Sequence, residues 1–343
     1  MEKHIEKICV SPILSISETI KVLNDGQLKI VLIVDPDVKL LGVVTDSDIR
    51  RAILNGISFD LPINTIMKKD PIVATPNMDD KQILSLMKKT GRYEIPIIDY
   101  YKKVVDLKSI DLLLEKKQNA EVVIMAGGLG TRLKPLTDII PKPLVKIGGK
   151  SILFTLLDQL IMAGFQKISL TINYKADMIK EAILSIPAYS EVVTFVEEIK
   201  RMGTAGSLAL IDKPSSSFLV MNADLLTNVD FSAMLRYHEM EKNQITIAAR
   251  EEFFQIPFGV LNLDDQKVVN IQEKPAQTLF VNAGIYVIEP EILDQQFKNT
   301  FYDMTDLIND SIASGKKVGS FPIHEYWIDI GRHEDLQQAL KKK

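Results

Sequence analysis

The chain has almost no cysteine: Cys9 is the only one in 343 residues. A single thiol excludes an intrachain disulfide and any zinc site built on cysteines, so a lone buried thiol is expected. Long apolar runs are missing too. No stretch approaches the ~18 residues of a membrane span. Glu2 and Glu6 interrupt the first apolar residues, where a secretory signal needs an unbroken core. Nor is there an excess of positive charge. With 41 Lys and Arg against 45 Asp and Glu, the net charge of −4 offers no general basic field for nucleic acid. Histidines are few, and His238, His324 and His333 stand at no metal-ligand spacing. The expectation is a cytoplasmic protein without a nucleic-acid or membrane partner. What remains is ordinary for a globular chain: 46% hydrophobic and 25% charged residues, over a length that suits two or three domains.

The most informative stretch is Ala126-Gly-Gly-Leu-Gly-Thr-Arg-Leu133. It follows Val122-Val-Ile-Met125, an apolar run that reads as a buried parallel strand. Gly127, Gly128 and Gly130 permit turns that a Cβ would forbid and turn backbone N–H groups outward. Such a loop is an anion nest, and Arg132 adds a fixed fork of donors. Lys142 follows in Pro141-Lys-Pro143, held extended by its prolines. The physical reading is a polyphosphate cradle with two cations aimed into it. Two familiar phosphate loops do not fit. The dinucleotide pattern Gly-x-Gly-x-x-Gly fails at Leu133. The P-loop pattern ending in Gly149-Lys150-Ser151 has Leu144 where its first glycine belongs.

Apolar strands then alternate with helical patterns, which argues for an α/β sheet. Ser151 opens a helix whose stripe is Leu153, Leu156, Leu157, Leu160 and Ile161. Lys167–Ile172 is the next strand, with Asn173 and Tyr174 at its end; Tyr174 reads as a packing residue. Gly203-Thr-Ala-Gly206 opens a helix with small residues, so something flat can approach the backbone there. Phe218–Asp224 is an apolar strand ending in a carboxylate, and Asp329 lies in another apolar setting, Tyr326–Gly331. Buried carboxylates are costly unless paired or metal-bound, and two of them with phosphate oxygens and water suit Mg²⁺.

Residues 126–137 and 141–150 together resemble the nucleotide-binding segment of the sugar-1-phosphate nucleotidyltransferases almost letter for letter. That resemblance covers most of 121–331. It implies a Rossmann-like, GT-A-like α/β domain with a mixed central sheet. It also implies attack by a sugar-1-phosphate oxygen on the α-phosphorus of an NTP, with release of pyrophosphate. Ala126, Gly127, Gly128, Gly130, Thr131, Arg132 and Lys142 would bind the nucleotide. Gly203, Thr204 and Ala205 would line its base, and Glu198 would reach the base edge. Mg²⁺ falls on Asp224 and Asp329. Gly259, Glu273 and Asn282 match sugar contacts, and Lys274 matches the lysine that holds the sugar phosphate. Arg132, Lys142, Asp224 and Lys274 carry the catalysis. Met202-Gly-Thr-Ala-Gly206 looks most like the guanylyltransferase branch.

Residues 1–118 carry a repeat of strand, turn, strand and helix start. Leu28–Val34 and Lys39–Arg51 form one copy; Arg92–Ile98 and Lys102–Ile110 form the other, with a shorter turn expected. The pattern resembles a CBS pair, an α+β module. By that resemblance Thr45 contacts the phosphate and Asp48 the ribose of an adenine nucleotide. The residues equally suit a plain helix cap, and the pair equally suits a dimerisation platform. In the second copy Asp106, Ser109 and Lys103 are matched to Thr45, Asp48 and Gly42, so one competent site at most is expected. The polar stretch Glu115–Glu121 reads as a linker to a catalytic domain over 119–343.

A CBS pair joined to this transferase resembles the GDP-glucosamine-forming enzymes of bacterial legionaminic acid pathways. The first expectation is therefore GTP with glucosamine 1-phosphate, in a homo-oligomer. GTP with mannose or heptose 1-phosphate comes next, then UTP, dTTP or CTP enzymes. A catalytically silent nucleotide-sensing scaffold is the non-enzyme alternative.

Overall fold

The computed structural model describes residues 3–25, 29–110, 118–294 and 300–341. The chain divides into two compact units, Met1–Lys116 and Lys117–Lys343. Residues 115–117 of the expected linker lie outside the described residues. Among the described residues no helix is long and apolar enough to cross a membrane.

In the first unit, strands Ile30–Val34 and Leu40–Thr45 pair antiparallel, and Cys9–Val10 adds a parallel edge. Cys9, expected to be buried, is half-buried, and that burial, with the Glu6 charge, pushes its thiol up to about 11. Helices Ile16–Asp25 and Asp46–Leu54 cover the hairpin through a core containing Ile16, Val31, Ile33, Val44 and Ile49. The second copy repeats this with helix Asp80–Thr90 and the pair Glu94–Ile98 and Val104–Ser109.

The repeat is closer than its letters suggest. Asp35 Oδ1 accepts from the N–H groups of Asp37 and Lys39, and Asp99 Oδ1 accepts from those of Tyr101 and Lys103. Val38 and Lys102 both take positive φ, 64° and 63°. The second turn is thus the same length as the first, not shorter. This also corrects the match between copies. Ser109 pairs with Glu94 as Thr45 pairs with Ile30, so Ser109 is the counterpart of Thr45 and Asp106 that of Gly42. The position matching Asp48 lies outside the described residues.

The second unit holds a seven-stranded mixed sheet in the order 193–197, 168–172, 122–125, 218–222, 276–288, 245–255, 318–323. The first four strands run parallel. Ala276–Ile288 is antiparallel to both of its neighbours, which makes the sheet mixed. Side chains alternate between two cores, as the period of two requires. Ile124, Leu219, Met221, Ile285 and Val287 face helix Ile152–Met162 and helix Phe231–Glu241. Val123, Phe218, Val220, Tyr286 and Ile288 face helix Met304–Ala313. Strands buried on both faces read as unbroken apolar runs, which is why they stand out in the sequence.

Ser151 caps helix Ile152–Met162 by accepting from the Phe154 N–H at 3.1 Å. Of its expected stripe, Leu153, Leu156, Leu157 and Leu160 are fully buried; each such side chain contributes about 2 kcal/mol. His238 is a core residue, held between Thr246 and Glu289.

Three small ribbons complete the unit among the described residues. Leu225–Thr227 pairs with Trp327–Asp329, Val260–Asp264 pairs with Lys267–Gln272, and Lys146–Ile147 pairs with Lys150–Ser151.

Candidate active site

The first of these ribbons brings together carboxylates from distant parts of the chain. Strand Phe218–Asn222 ends, Ala223 and Asp224 turn, and Leu225 pairs directly with Asp329. The Ile330 N–H donates to the Asp224 carbonyl at 3.1 Å, which fixes the two segments side by side. Lys142 enters from the short helix Lys142–Leu144, started by Pro141 in extended conformation. Its ammonium pairs with Asp224 and lies 3.7 Å from Asp329 Oδ1. Lys142 and Asp224 are 12% and 20% exposed at the side chain, so this is a largely buried ion pair.

One oxygen of each carboxylate, Oδ1 of Asp224 and Oδ1 of Asp329, is buried with no hydrogen-bond partner. Burial pushes the Asp329 carboxyl up to about 6; the Asp224 charge adds to the shift, while Lys142 and Arg132 oppose it. Two orphaned hard oxygens beside each other are costly, and they are the donor type a small divalent cation takes. The residues present therefore fit the expected metal.

The glycine loop adjoins this centre: a Cβ on Gly130 would lie 3.1 Å from Lys142 Cβ. Ala126 is buried, with its N–H on the Thr171 carbonyl at 2.9 Å. Beyond it, Gly127, Gly128 and Leu129 donate their N–H groups to no acceptor among the described residues. That is the state of a nest built for an anion. Arg132 sits in the turn Thr131–Leu133. A Cβ placed on Gly331 would be 3.6 Å from Arg132 Nη1 and 3.7 Å from Asp329 Oδ1, so guanidinium and carboxylate flank one backbone position.

Gly130 is fixed by both conformation and space. Its φ is +63°, and a Cβ there would lie 2.9 Å from Thr137 Cγ2 and 3.1 Å from Lys142 Cβ. Thr137 Oγ1 donates to the Gly130 carbonyl, and Tyr174 donates to the Thr137 carbonyl. Tyr174 thus braces the loop, in keeping with its expected packing role. Gly130→Ala should cost about 1–3 kcal/mol in a urea melt and weaken nucleotide binding, because the added carbon displaces the Lys142 stem.

Glu198 closes over the loop. A Cβ on Gly127 would come within 2.7 Å of Glu198 Oε1. The carboxylate is half-buried, and burial raises its pKa against a hydrogen bond from the Met202 N–H.

The small residues at 203–206 accommodate a close approach from within the chain itself. A Cβ on Gly203, whose φ is +79°, would meet the Tyr302 carbonyl at 2.5 Å, and one on Gly206 would meet the Thr300 carbonyl at 2.9 Å. The N–H groups of Ala205 and Gly206 both donate to Tyr302, and Thr204 bonds Asp303 and Met304. What approaches this backbone is the chain's own segment 300–304. The helix itself is one turn, Gly203–Gly206, continued by a 3-10 turn.

Asn282 lines a pocket of about 140 Å³ with Asn222, Ala283, Gly284, Tyr286, Trp327 and Asp329. Its Oδ1 accepts from the Gly284 N–H at 2.9 Å, and Trp327 Nε1 donates to the Ala283 carbonyl at 2.9 Å. Asn222, Tyr286 and Trp327 escape the sequence reading. Asn222 and Trp327 each stand two residues before a site aspartate, a spacing that could have flagged them.

The remaining expected sugar residues flank the second ribbon, Gly259 just before Val260 and Glu273 and Lys274 just after Gln272. A Cβ on Gly259 would be 3.1 Å from Glu273 Oε2, so those two are neighbours. Lys274 follows with φ +43°. Among the described residues no ion pair or hydrogen bond joins Glu273 or Lys274 to the Lys142 centre.

In the first unit, Thr45 and Asp48 bond each other. Thr45 Oγ1 donates to Asp48 Oδ2 at 2.6 Å, the Thr45 N–H donates to the same oxygen, and Lys68 pairs with Oδ1 at 2.9 Å. They cap helix Asp46–Leu54.

Comparison with known proteins agrees with this geometry. The CBS domain model matches residues 3–55 and 63–107. Mannose-1-phosphate guanyltransferases of Yarrowia lipolytica and Saccharomyces cerevisiae are 30% and 31% identical over 224 and 229 residues. Each match covers 62% of this chain, and the chain spans about 61–62% of the length of these relatives. Among solved structures, HddC from Yersinia pseudotuberculosis is similar at 29% identity and a TM-score of 0.52, covering 65% of this chain and 99% of that one; it is also known complexed with GMP-PN. The nucleotidyl transferase model matches residues 121–343, which takes in the glycine loop, Lys142 and both aspartates, and the chain belongs to that family.

Proposed function

We propose that this protein is a sugar-1-phosphate guanylyltransferase, joining GTP and a sugar 1-phosphate into a GDP-sugar with release of pyrophosphate. The observation that carries the reading is Lys142 set between Asp224 and Asp329 beside a glycine loop with free N–H groups. Two anionic reactants need such a place, where opposite charge offsets their repulsion. The Gly127 and Gly128 amides and Arg132 hold the β- and γ-phosphates. Lys142 reaches the α-phosphate and neutralises charge as it builds there. Asp224 and Asp329 hold Mg²⁺, which when bound supplies further charge neutralisation. Lys274 holds the incoming phosphate monoester as a point charge. That phosphate is already ionised at neutral pH, so no general base is required.

Guanine follows from two supports. Glu198 stands over the loop and can accept from the N1–H and amino group of guanine. The similar proteins named above are guanyltransferases, or carry a guanine nucleotide analogue. For the sugar there are three candidates: glucosamine 1-phosphate and, after it, heptose 1-phosphate, both from the sequence resemblance, and mannose 1-phosphate, for which the curated relatives are named. An adenine nucleotide at the CBS pair is the proposed regulator. Since Thr45 and Asp48 already cap a helix, it would have to take over their hydrogen bonds.

One assay tests these points. Pyrophosphate release is measured with GTP, ATP, UTP, CTP and dTTP against glucosamine, mannose and heptose 1-phosphates, with and without AMP. GTP should exceed every other nucleotide by at least ~30-fold, the worth of a base-edge contact of about 2 kcal/mol. No pyrophosphate from any pair would leave the scaffold reading, and UTP above GTP would remove Glu198 from base selection.

A further inference from the structure

Beyond the end of strand Ile168–Ile172, three consecutive side chains donate to backbone carbonyls of two different loops. Tyr174 donates to the Thr137 carbonyl at 3.0 Å, and Lys175 Nζ to the Asp138 and Ile139 carbonyls at 2.6 and 2.8 Å. Both hold the loop that runs from the glycine nest to Lys142. Asn173 turns the other way: its Nδ2 donates to the Glu198 carbonyl at 2.6 Å.

Packing does not anchor the chain directly after Glu198, because Ile199 is fully exposed. What fixes Glu198 is its backbone. Its N–H donates to the Ile172 carbonyl at 2.9 Å, and its own carbonyl receives Asn173. Its carboxylate meets the same strand again, at Thr171. Thr171 is fully buried, and its hydroxyl has no hydrogen-bond partner among the described residues. A buried hydroxyl left so costs stability, and valine would fill the same volume without that cost. What the hydroxyl stands beside is Glu198. Burial raises the Glu198 carboxyl, while the Met202 N–H and the Thr171 hydroxyl oppose the rise and favour the charged form.

We propose, resting on the guanylyltransferase reading, that Asn173 and Thr171 are positioning residues for base selection, aiming the Glu198 carboxylate at the N1–H and 2-amino edge of guanine. Two parallel donors are met well only by a carboxylate lying in their plane. A carboxylate that swings with its loop loses part of that gain to ordering, so a side chain that pins the loop raises selectivity without touching the base. The Met202 N–H, 3.4 Å from Glu198 Oε2, leaves that oxygen a second lone pair. The strand end thus divides its work, with Asn173 and Thr171 serving the base and Tyr174 and Lys175 the phosphates.

Calorimetric titration of the full chain with GTP and with inosine triphosphate, which keeps N1–H but lacks the 2-amino group, tests it without need of the sugar. Wild type should favour GTP by at least ~10-fold in Kd, the worth of a hydrogen bond to a charged group. Asn173→Ala should bring that ratio to about threefold or less, by weakening GTP. In the pyrophosphate assay the same variant should raise the KM for GTP and keep kcat within about threefold, since the Lys142 centre is untouched. Thr171→Val should lower the ratio in the same way while melting no lower than wild type, which keeps the test open if Asn173→Ala folds poorly. Tyr174→Phe, which loosens only the phosphate loop, should weaken both nucleotides alike and leave the ratio. Asn173→Ala with Glu198→Gln should lose no more discrimination than Glu198→Gln alone, because the two act through one contact. A wild type indifferent to the 2-amino group would remove Glu198 from guanine recognition, and the positioning role with it. A discriminating wild type whose Asn173→Ala and Thr171→Val variants discriminate equally well would overturn the positioning role alone. So would an additive loss in the double variant.

Discussion

Asp224→Asn should lower turnover by about 10³-fold and leave the melting temperature within a few degrees of wild type. The two halves of this expectation come from the same geometry. Asp224 faces Lys142 on one oxygen and buries the other with no partner. Losing the charge costs the pair with Lys142, yet it also removes the repulsion that helps push Asp329 up to about 6. These effects oppose each other, so folding changes little. Function has no such compensation. An amide offers a neutral oxygen where a divalent cation needs a carboxylate. Calorimetric titration with Mg²⁺ or Mn²⁺ should show the affinity falling with the activity. A variant within tenfold of wild type would remove Asp224 from the metal site.

The sequence shows the parts of this site more clearly than their assembly. Phe218–Asn222 is legible because a strand buried on both faces is an unbroken apolar run. That it delivers Asp224 beside Asp329 depends on Leu225 pairing with Asp329, across more than a hundred residues. Nothing local in Trp327–Asp329 names its partner strand; family resemblance brought the two together on paper. The glycines at 203 and 206 show a different limit. Their sequence correctly announces a close approach, but the approaching group is the Tyr302 and Thr300 backbone. A small residue records that space is needed and is silent on who takes it. In the CBS pair, letter matching slips by three positions, because Gly42 and Lys103 seem equivalent in sequence. The Asp35 and Asp99 turns set the true register through hydrogen bonds to backbone, which survive wide changes in side chain.

Lys142→Ala should be the more damaging change, because here stability and activity fall together. The ammonium is the cation shared by both carboxylates; it and Asp224 are largely closed to water, while the Asp329 side chain is 40% exposed. Without it two like charges face each other, each with an oxygen already lacking a partner. Breaking such a pair from one side should cost about 1–3 kcal/mol, below the fully buried range because Asp329 keeps some access to solvent. Turnover should drop by about 10³-fold with the charge proposed to neutralise the α-phosphate. Lys142→Arg keeps the charge, and so most of the stability, but its planar fork does not reproduce a point donor set between two acids, so activity stays low. The double variant Lys142→Ala with Asp224→Asn separates this account from a simple loss of packing. If repulsion is the cause, removing the second charge restores stability, and the double variant melts above Lys142→Ala alone. Mg²⁺ should likewise raise the melting temperature of Lys142→Ala more than that of wild type, since a cation is what the site then lacks. A double variant less stable than either single one would mean that the lysine stem, not its charge, holds the three segments together.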